Sequence, residues 1–339
     1  MISDQNKKDL MYILDSHFPI QDNNSLRNFQ KLTGGTDTEI FSFDLYSNNS
    51  SIKLVMKLFR NRIPSSRAKN EYLNLCKLSK TNIHIPKPFG FLDKTCSFNR
   101  PFMIMEYIDG GLLTEKLYRL SRIDNTLFKA FVANLILIHQ TNWHILFDDF
   151  VPPDIGSDPY IIIKSFINRT ETIVKEYDIK EFDPLIDWLK INMISYPCKE
   201  FVLCHGDYHP NNIILNNNNN ELVTFDWSNI GLGDRRQDLA FAIVVMNSLT
   251  SIDQTDLIIT TYERITDIII EGIKFFEVLT NLFNFLRLYS AACNFTITQE
   301  TEQTKKVFLN EYKTYSSNVL KLMKSETTLT FPTIEHFLR

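Results

Sequence analysis

The apolar periodicity of the chain changes character once, near residues 106–111, and that change limits the fold more than any other feature. Before it, "EIFSFDLY" (Glu39–Tyr46) alternates, with Phe41, Phe43 and Leu45 on one face and Ser42 and Asp44 on the other. That is the period of a half-buried strand. "IKLVMKLF" (Ile52–Phe59) reads as a second strand, and the polar "YSNNSS" between them makes the pair a hairpin. Ser65 and Ser66 are candidate caps for a helix carrying Tyr72, Leu75, Cys76 and Leu78. "IPKPFGF" leads into a strand, and "PFMIMEYI" (Pro101–Ile108) is another, ended by Asp109-Gly110-Gly111. Earlier still, Leu10, Ile13 and Leu14 have helical spacing within Asp9–Phe18. After the change, Thr126–Gln140, much of 160–195 and nearly all of Gln237–Lys324 show helical spacing. The expectation is an α+β chain in two lobes, a smaller β-rich one over 1–108 and a larger, mostly helical one over 109–339.

A chain of 339 residues with 44% hydrophobic and 12% aromatic content can bury a sizeable core. A net charge of −4 lacks the basic excess of a nucleic-acid binder. Cys76, Cys96, Cys198, Cys204 and Cys293 are odd in number and never spaced CxxC, which argues against a disulfide framework or structural zinc. No apolar run approaches ~18 residues, so no membrane span is expected. The N-terminus, polar from Ser3 to Asp9, has no signal-peptide core. A cytoplasmic location is the expectation.

The polar run "HGDYHPNN" (His205–Asn212) lies between "FVLC" (Phe201–Cys204) and "IIL" (Ile213–Leu215). Polar groups clamped between apolar strands need partners or a task. Asn216–Asn220 reads as the turn of a hairpin, and Asp226 ends the following apolar run "LVTFDW". One Asp, an Asn five residues on and a second Asp after a hairpin supply the hard oxygen ligands that Mg²⁺ takes, and a carboxylate to serve a phosphoryl acceptor. Lys57 sits inside an apolar strand and needs an anionic partner, for which Glu71 on the next helix is a candidate. The chain has only ten glycines, and two of them, Gly34 and Gly35, stand with Thr36 in "LTGGTDTEIF", a turn whose N–H groups could cradle phosphate. A plain turn explains that stretch equally well.

"HGDYHPNNIIL" followed by "TFDW" resembles the catalytic-loop and metal-site motifs of the aminoglycoside phosphotransferase family, the small-molecule branch of the protein-kinase-like fold. Every polar position of the pattern H-G-D-x-x-x-x-N, strand, [ILVF]-D-[WF] is matched, and the resemblance covers about Leu26 to Ser290. It implies that Asp207 is the catalytic base and that Asn212 and Asp226 hold Mg²⁺ against ATP. It implies that Lys57, positioned by Glu71, contacts the α/β phosphates, with Gly34, Gly35 and Thr36 in the phosphate loop. The backbone of Met105–Ile108, including Glu106 and Ile108, would meet adenine. His205, His209 and Asp238 would support the catalytic loop. There are departures: the glycines are adjacent rather than spread, Arg235 stands where many members have Pro, and Trp227 stands where protein kinases keep the Phe of Asp-Phe-Gly. No His-Arg-Asp or Ala-Pro-Glu is present, which disfavours a protein kinase.

The implied function is an ATP- and Mg²⁺-dependent kinase acting on a hydroxyl of a small molecule. The acceptor could be an aminoglycoside or a metabolite of choline, homoserine, sugar or fructosamine type. A non-catalytic pseudokinase is the alternative of another class. Residues 148–187 hold ten acids against four bases, which suits either a cationic acceptor or a solvated helix face.

Overall fold

The computed structural model describes residues 2–18, 24–32, 38–47, 50–119, 122–147, 154–250, 253–294, 302–332 and 335. In chain order the first elements are α1 (Asp4–Asp15), β1 (Ser25–Leu32), β2 (Thr38–Ser47), β3 (Ser50–Phe59), α2 (Ser65–Leu78), β4 (Pro88–Leu92), β5 (Phe102–Glu106), β6 (Gly110–Leu112) and α3 (Leu113–Leu117). Then come β7 (Tyr118–Arg119), β8 (Arg122–Ile123), α4 (Asn125–Gln140), α5 (Ile161–Glu176), α6 (Asp183–Asn192), β9 (Val202–Cys204), β10 (Ile213–Asn216) and β11 (Leu222–Thr224). The last are β12 (Gly231–Gly233), α7 (Arg235–Thr250), α8 (Thr255–Thr266), α9 (Ile273–Asn294) and α10 (Glu302–Thr327). The mixed α+β composition is as expected, an antiparallel sheet early and helices late. The contacts divide the chain into two compact units, Met1–Glu115 with Asn211–Ser228, and Lys116–Pro210 with Asn229–Arg339.

The first unit is built on a five-stranded antiparallel sheet of order β1-β2-β3-β5-β4. Alternation along β3 decides which residues meet which layer. Leu54, Met56 and Leu58 share a buried cluster with Leu10, Ile13 and Leu14 of α1. Lys57, between them in sequence, therefore points away from α1. The α1 helix starts at Asp4, earlier than its apolar spacing shows, because Ser3 and Asn6 cap each other's backbone N–H groups. The α2 helix starts at Ser65 with Pro64 before it and no side-chain cap, so Ser65 and Ser66 lie inside the helix rather than capping it. A second sheet, β11-β10-β6, completes the unit. Gly110 and Gly111, expected only to end a strand, begin β6 instead. A Cβ on Gly110 would stand 2.3 Å from the Leu215 carbonyl oxygen, so only glycine permits this pairing.

The second unit is mostly helical. One core joins α5, α6, α7, α9 and α10 through residues such as Ile167, Leu185, Val244, Phe276, Leu282 and Val319. The α4 helix buries Phe128, Phe131, Leu135 and Ile138, as its spacing predicts. Glu277, on α9, is a charged residue in this apolar setting. Its Oε2 meets Lys274 Nζ at 3.1 Å, and its Oε1 has no hydrogen-bond partner. Burial pushes its carboxyl up to about 7 from an ordinary 4.5, against the pull of Lys274.

A carboxyl whose folded pKa is raised adds nothing unfavourable below its unfolded pKa, and lowers stability as pH rises to the folded value. Glu277→Gln should match the unaltered protein near pH 4.5 and exceed its urea-unfolding free energy by about 3 kcal/mol at pH 8. A difference between the two that does not change with pH would contradict this assignment.

Candidate active site

The first unit gathers three of the expected site residues. Lys57 Nζ lies 2.6 Å from Glu71 Oε1 and 3.0 Å from Asp226 Oδ1. Lys57 and Glu71 are both buried, while Asp226 is more open. Burial alone would favour the neutral amine, but the charges of Asp226 and Glu71 outweigh it and hold the Lys57 pKa above its ordinary value. The lysine is thus a fixed cation, with one buried carboxylate behind it and one partly exposed carboxylate beside it.

Asp226 is placed by the β10–β11 hairpin. Ile213 pairs with Thr224, and the Phe225 N–H donates to the Asn212 carbonyl at 3.0 Å, so Asn212 and Asp226 sit at the same end of the hairpin. Asp226 adopts φ 62, a left-handed conformation that Asp tolerates better than most residues but at a cost. Trp227 next to it is fully buried, and its Nε1–H donates to the Thr224 carbonyl at 3.0 Å, fixing the turn. Asn211 meets Thr114 through its side chain. Asn212 is buried. Glu106 ends β5, and its carboxylate accepts the Lys87 N–H at 3.2 Å; Ile108, just beyond, is buried. Gly34, Gly35 and Thr36 lie outside the described residues.

The second unit holds the rest of the polar run. Gly206 has φ 78, and a Cβ there would stand 2.4 Å from the Asn229 carbonyl oxygen. Asp238 lies in the first turn of α7, which Asp234 opens by accepting the Arg236 N–H at 3.0 Å. The Asp238 carboxylate accepts the His205 N–H at 2.7 Å and the Gly206 N–H at 2.8 Å. His205 Nδ1 accepts the Asp207 N–H at 3.2 Å. His209 Nε2 stands 3.6 Å from Asp207 Oδ1 and packs edge-on to Phe241. Burial would push the Asp238 carboxyl up, but the hydrogen bonds from His139 and the Gly206 N–H hold it below the usual carboxylate range.

Three residues of this unit that hold the loop escape the sequence reading. Tyr208 is fully buried, donates to the Phe131 carbonyl at 2.6 Å and accepts from Asn134 at 3.1 Å. His139 reaches Asp238 at 3.4 Å and Tyr262 at 2.8 Å. Tyr208 occupies a variable position of the motif, and His139 and Tyr262 look like members of amphipathic helix faces, so no local signal marks them. His139, Cys204 and Asp238 also bring a potential ligand atom each within 4.8 Å of one another. Both Asp238 oxygens accept backbone N–H groups and Oδ2 also faces His139 Nε2, so in this structure the cluster serves as a hydrogen-bonded support for the loop.

The fold is kinase-like. A structure of a putative aminoglycoside phosphotransferase from Ralstonia eutropha JMP134 superposes with a TM-score of 0.65 at 16% identity, covering 94% of this chain and 98% of the other. A Plasmodium vivax ethanolamine kinase gives 0.62 at 16% identity, with coverage of 98% and 92%. Spectinomycin phosphotransferase APH(9)-Ia, solved with ADP and spectinomycin, gives 0.59 at 16% identity, with coverage of 93% and 97%. The curated proteins contain no match to the sequence. The model of the phosphotransferase enzyme family matches residues 29–266, well over half of the chain, and the protein belongs to that family. Membership makes it a phosphotransferase.

Removing Glu71 leaves the buried Lys57 ammonium with only the partly exposed Asp226 as its partner. Glu71→Ala should lower the urea-unfolding free energy by about 3 kcal/mol, and Lys57→Met with Glu71→Leu should recover most of that loss. A double variant no more stable than Glu71→Ala would show that the pair is not the source of the effect.

Proposed function

We propose that the chain transfers the γ-phosphate of ATP to a hydroxyl of a small molecule, with Asp207 as base. The observation that carries this reading is the Lys57 ammonium held charged by Glu71 and Asp226 within one compact unit. A fixed cation of this kind suits the α/β phosphates of a nucleotide. Asn212 and Asp226 offer hard oxygen donors at one end of a hairpin, a donor set that fits Mg²⁺. When bound there, the ion supplies neutralisation of phosphate charge. The backbone of Met105–Ile108, with Glu106 and Ile108, is assigned to adenine, and the stretch with Gly34, Gly35 and Thr36 to the phosphates. On this reading residues 1–108 form the nucleotide-binding part, and 109–339 the catalytic and acceptor part.

Phosphoryl transfer has a loose transition state, so positioning and charge neutralisation do most of the work. Lys57 stays protonated through the reaction and orients phosphate oxygens. Asp207 aligns the acceptor hydroxyl and takes its proton as the bond to phosphorus forms and the bond to the leaving ADP oxygen breaks. His205 and Asp238 hold the backbone of residues 205–207, and His209 flanks the Asp207 carboxylate.

The solved neighbours named above include enzymes for spectinomycin and for ethanolamine, and an acceptor with an amine is the first class to try. The acids of 148–187 give this only modest support. Asp158 pairs with Lys164 at 2.8 Å, Asp178 with Lys180 at 3.2 Å, and Glu171 with Lys190, which spends their charge locally. Among the described residues no helix is long and apolar enough to cross a membrane. Five free thiols suit a reducing compartment, and we assign the protein to the cytoplasm.

The test is ADP release from Mg-ATP against aminoglycosides, a macrolide, choline, ethanolamine, homoserine and several sugars. Asp207→Asn should cut turnover at least ~100-fold while ATP binding is kept. Full activity in that variant would remove the base assignment. In a separate binding assay, Asp226→Ala should lose Mg²⁺-dependent nucleotide affinity, and unchanged affinity would overturn its role as a metal ligand.

A further inference from the structure

A buried chain of polar side chains in the second unit runs from α8 to the loop that carries Asp207. The Tyr262 hydroxyl lies 2.8 Å from His139 Nδ1 on α4, and His139 Nε2 lies 3.4 Å from Asp238 Oδ2 on α7. Asp238 in turn holds the His205 and Gly206 N–H groups at 2.7 and 2.8 Å. Tyr262, His139, Asp238 and His205 are all at most 5% exposed, so water does not compete for these bonds.

The donor inventory fixes the direction of each bond. An ionised carboxylate only accepts, so His139 Nε2 carries the proton that faces Asp238. In that tautomer Nδ1 is an acceptor, and the Tyr262 O–H donates to it. The Arg235 guanidinium also faces the phenol. Having donors only, it takes the lone pairs of the phenol oxygen and leaves the phenol proton for His139.

We propose that Tyr262 is a positioning residue for the catalytic loop. By donating to His139 Nδ1 it selects the Nε2-protonated tautomer, and so keeps Asp238 oriented to hold His205 and Gly206. The inference rests on the reading of Asp207 as the base. Asp207 depends on this support because its own N–H goes to His205 Nδ1, and because Gly206 bends the loop through a left-handed conformation. Nothing in the α8 sequence announces the role, since Tyr262 occupies a buried helix position beside Ile258 and Thr261.

Tyr262→Phe keeps the ring and removes only the hydroxyl. Amide hydrogen exchange at His205 and Gly206 should rise about tenfold, the scale of one buried hydrogen bond. Turnover should fall by a similar factor, with KM for ATP unchanged. His139→Gln keeps a donor for Asp238 but has no ring tautomer for Tyr262 to select. In that background Tyr262→Phe should have no further effect on either readout. Exchange changed by less than about threefold, well short of one hydrogen bond, would overturn the proposal. So would a full Tyr262→Phe effect in the His139→Gln background, or raised exchange with turnover intact. Failure of the underlying functional reading shows differently, as no turnover by the unaltered protein with exchange still responding as expected.

Discussion

A buried ammonium cannot stand alone, and the first unit is arranged around meeting that demand for Lys57. The period of β3 turns Lys57 away from the apolar face that α1 covers. The α2 helix then brings Glu71 to 2.6 Å, and the β10–β11 hairpin brings Asp226 to 3.0 Å through a left-handed backbone. The segment Asn211–Ser228 belongs to this unit although it lies far along the chain. A structure that needed only a stable core would have placed an apolar residue at Lys57. Two carboxylates and a strained turn make sense where a fixed cation beside a partly open carboxylate is wanted.

The second unit meets a similar demand with hydrogen bonds. The polar run is dense because each group has an assigned partner: His205 and Gly206 N–H on Asp238, Asp207 N–H on His205, Tyr208 on Phe131 and Asn134. Asp238 keeps its charge in a buried place because these donors outweigh desolvation. Glu277, also buried, has one lysine and an unpartnered oxygen, and its carboxyl moves the other way. Two buried acids in one helical unit thus behave oppositely, according to how many donors each one finds.

Much of this was legible where chemistry conflicts with its setting. A lysine in an apolar strand asks for an acid, and Glu71 answers it; Asp207, Asn212 and Asp226 stand out because polar residues interrupt apolar strands at fixed intervals. The α4 helix and the β2–β3 hairpin follow from periodicity alone. What stayed hidden depends on contacts far apart in sequence. The β1 strand (Ser25–Leu32) escapes the alternation test because it is irregular, with a register shift between Arg27 and Gln30 and Asn28 at φ 55. Gly110 and Gly111 read as a stop because nothing local shows that they pair with Leu215 and Asn216. His139 and Tyr262 carry no motif, since their meaning lies in meeting each other and Asp238.

The most direct measurement of the central account is a calorimetric titration of ATP into the unaltered protein, once with Mg²⁺ and once with a chelator. The account predicts one nucleotide bound per chain, with an affinity that falls steeply when Mg²⁺ is withdrawn, because Lys57 alone cannot balance the phosphate charge. No ATP binding, or binding indifferent to Mg²⁺, would contradict the assignment of Lys57, Asn212 and Asp226 to a nucleotide site.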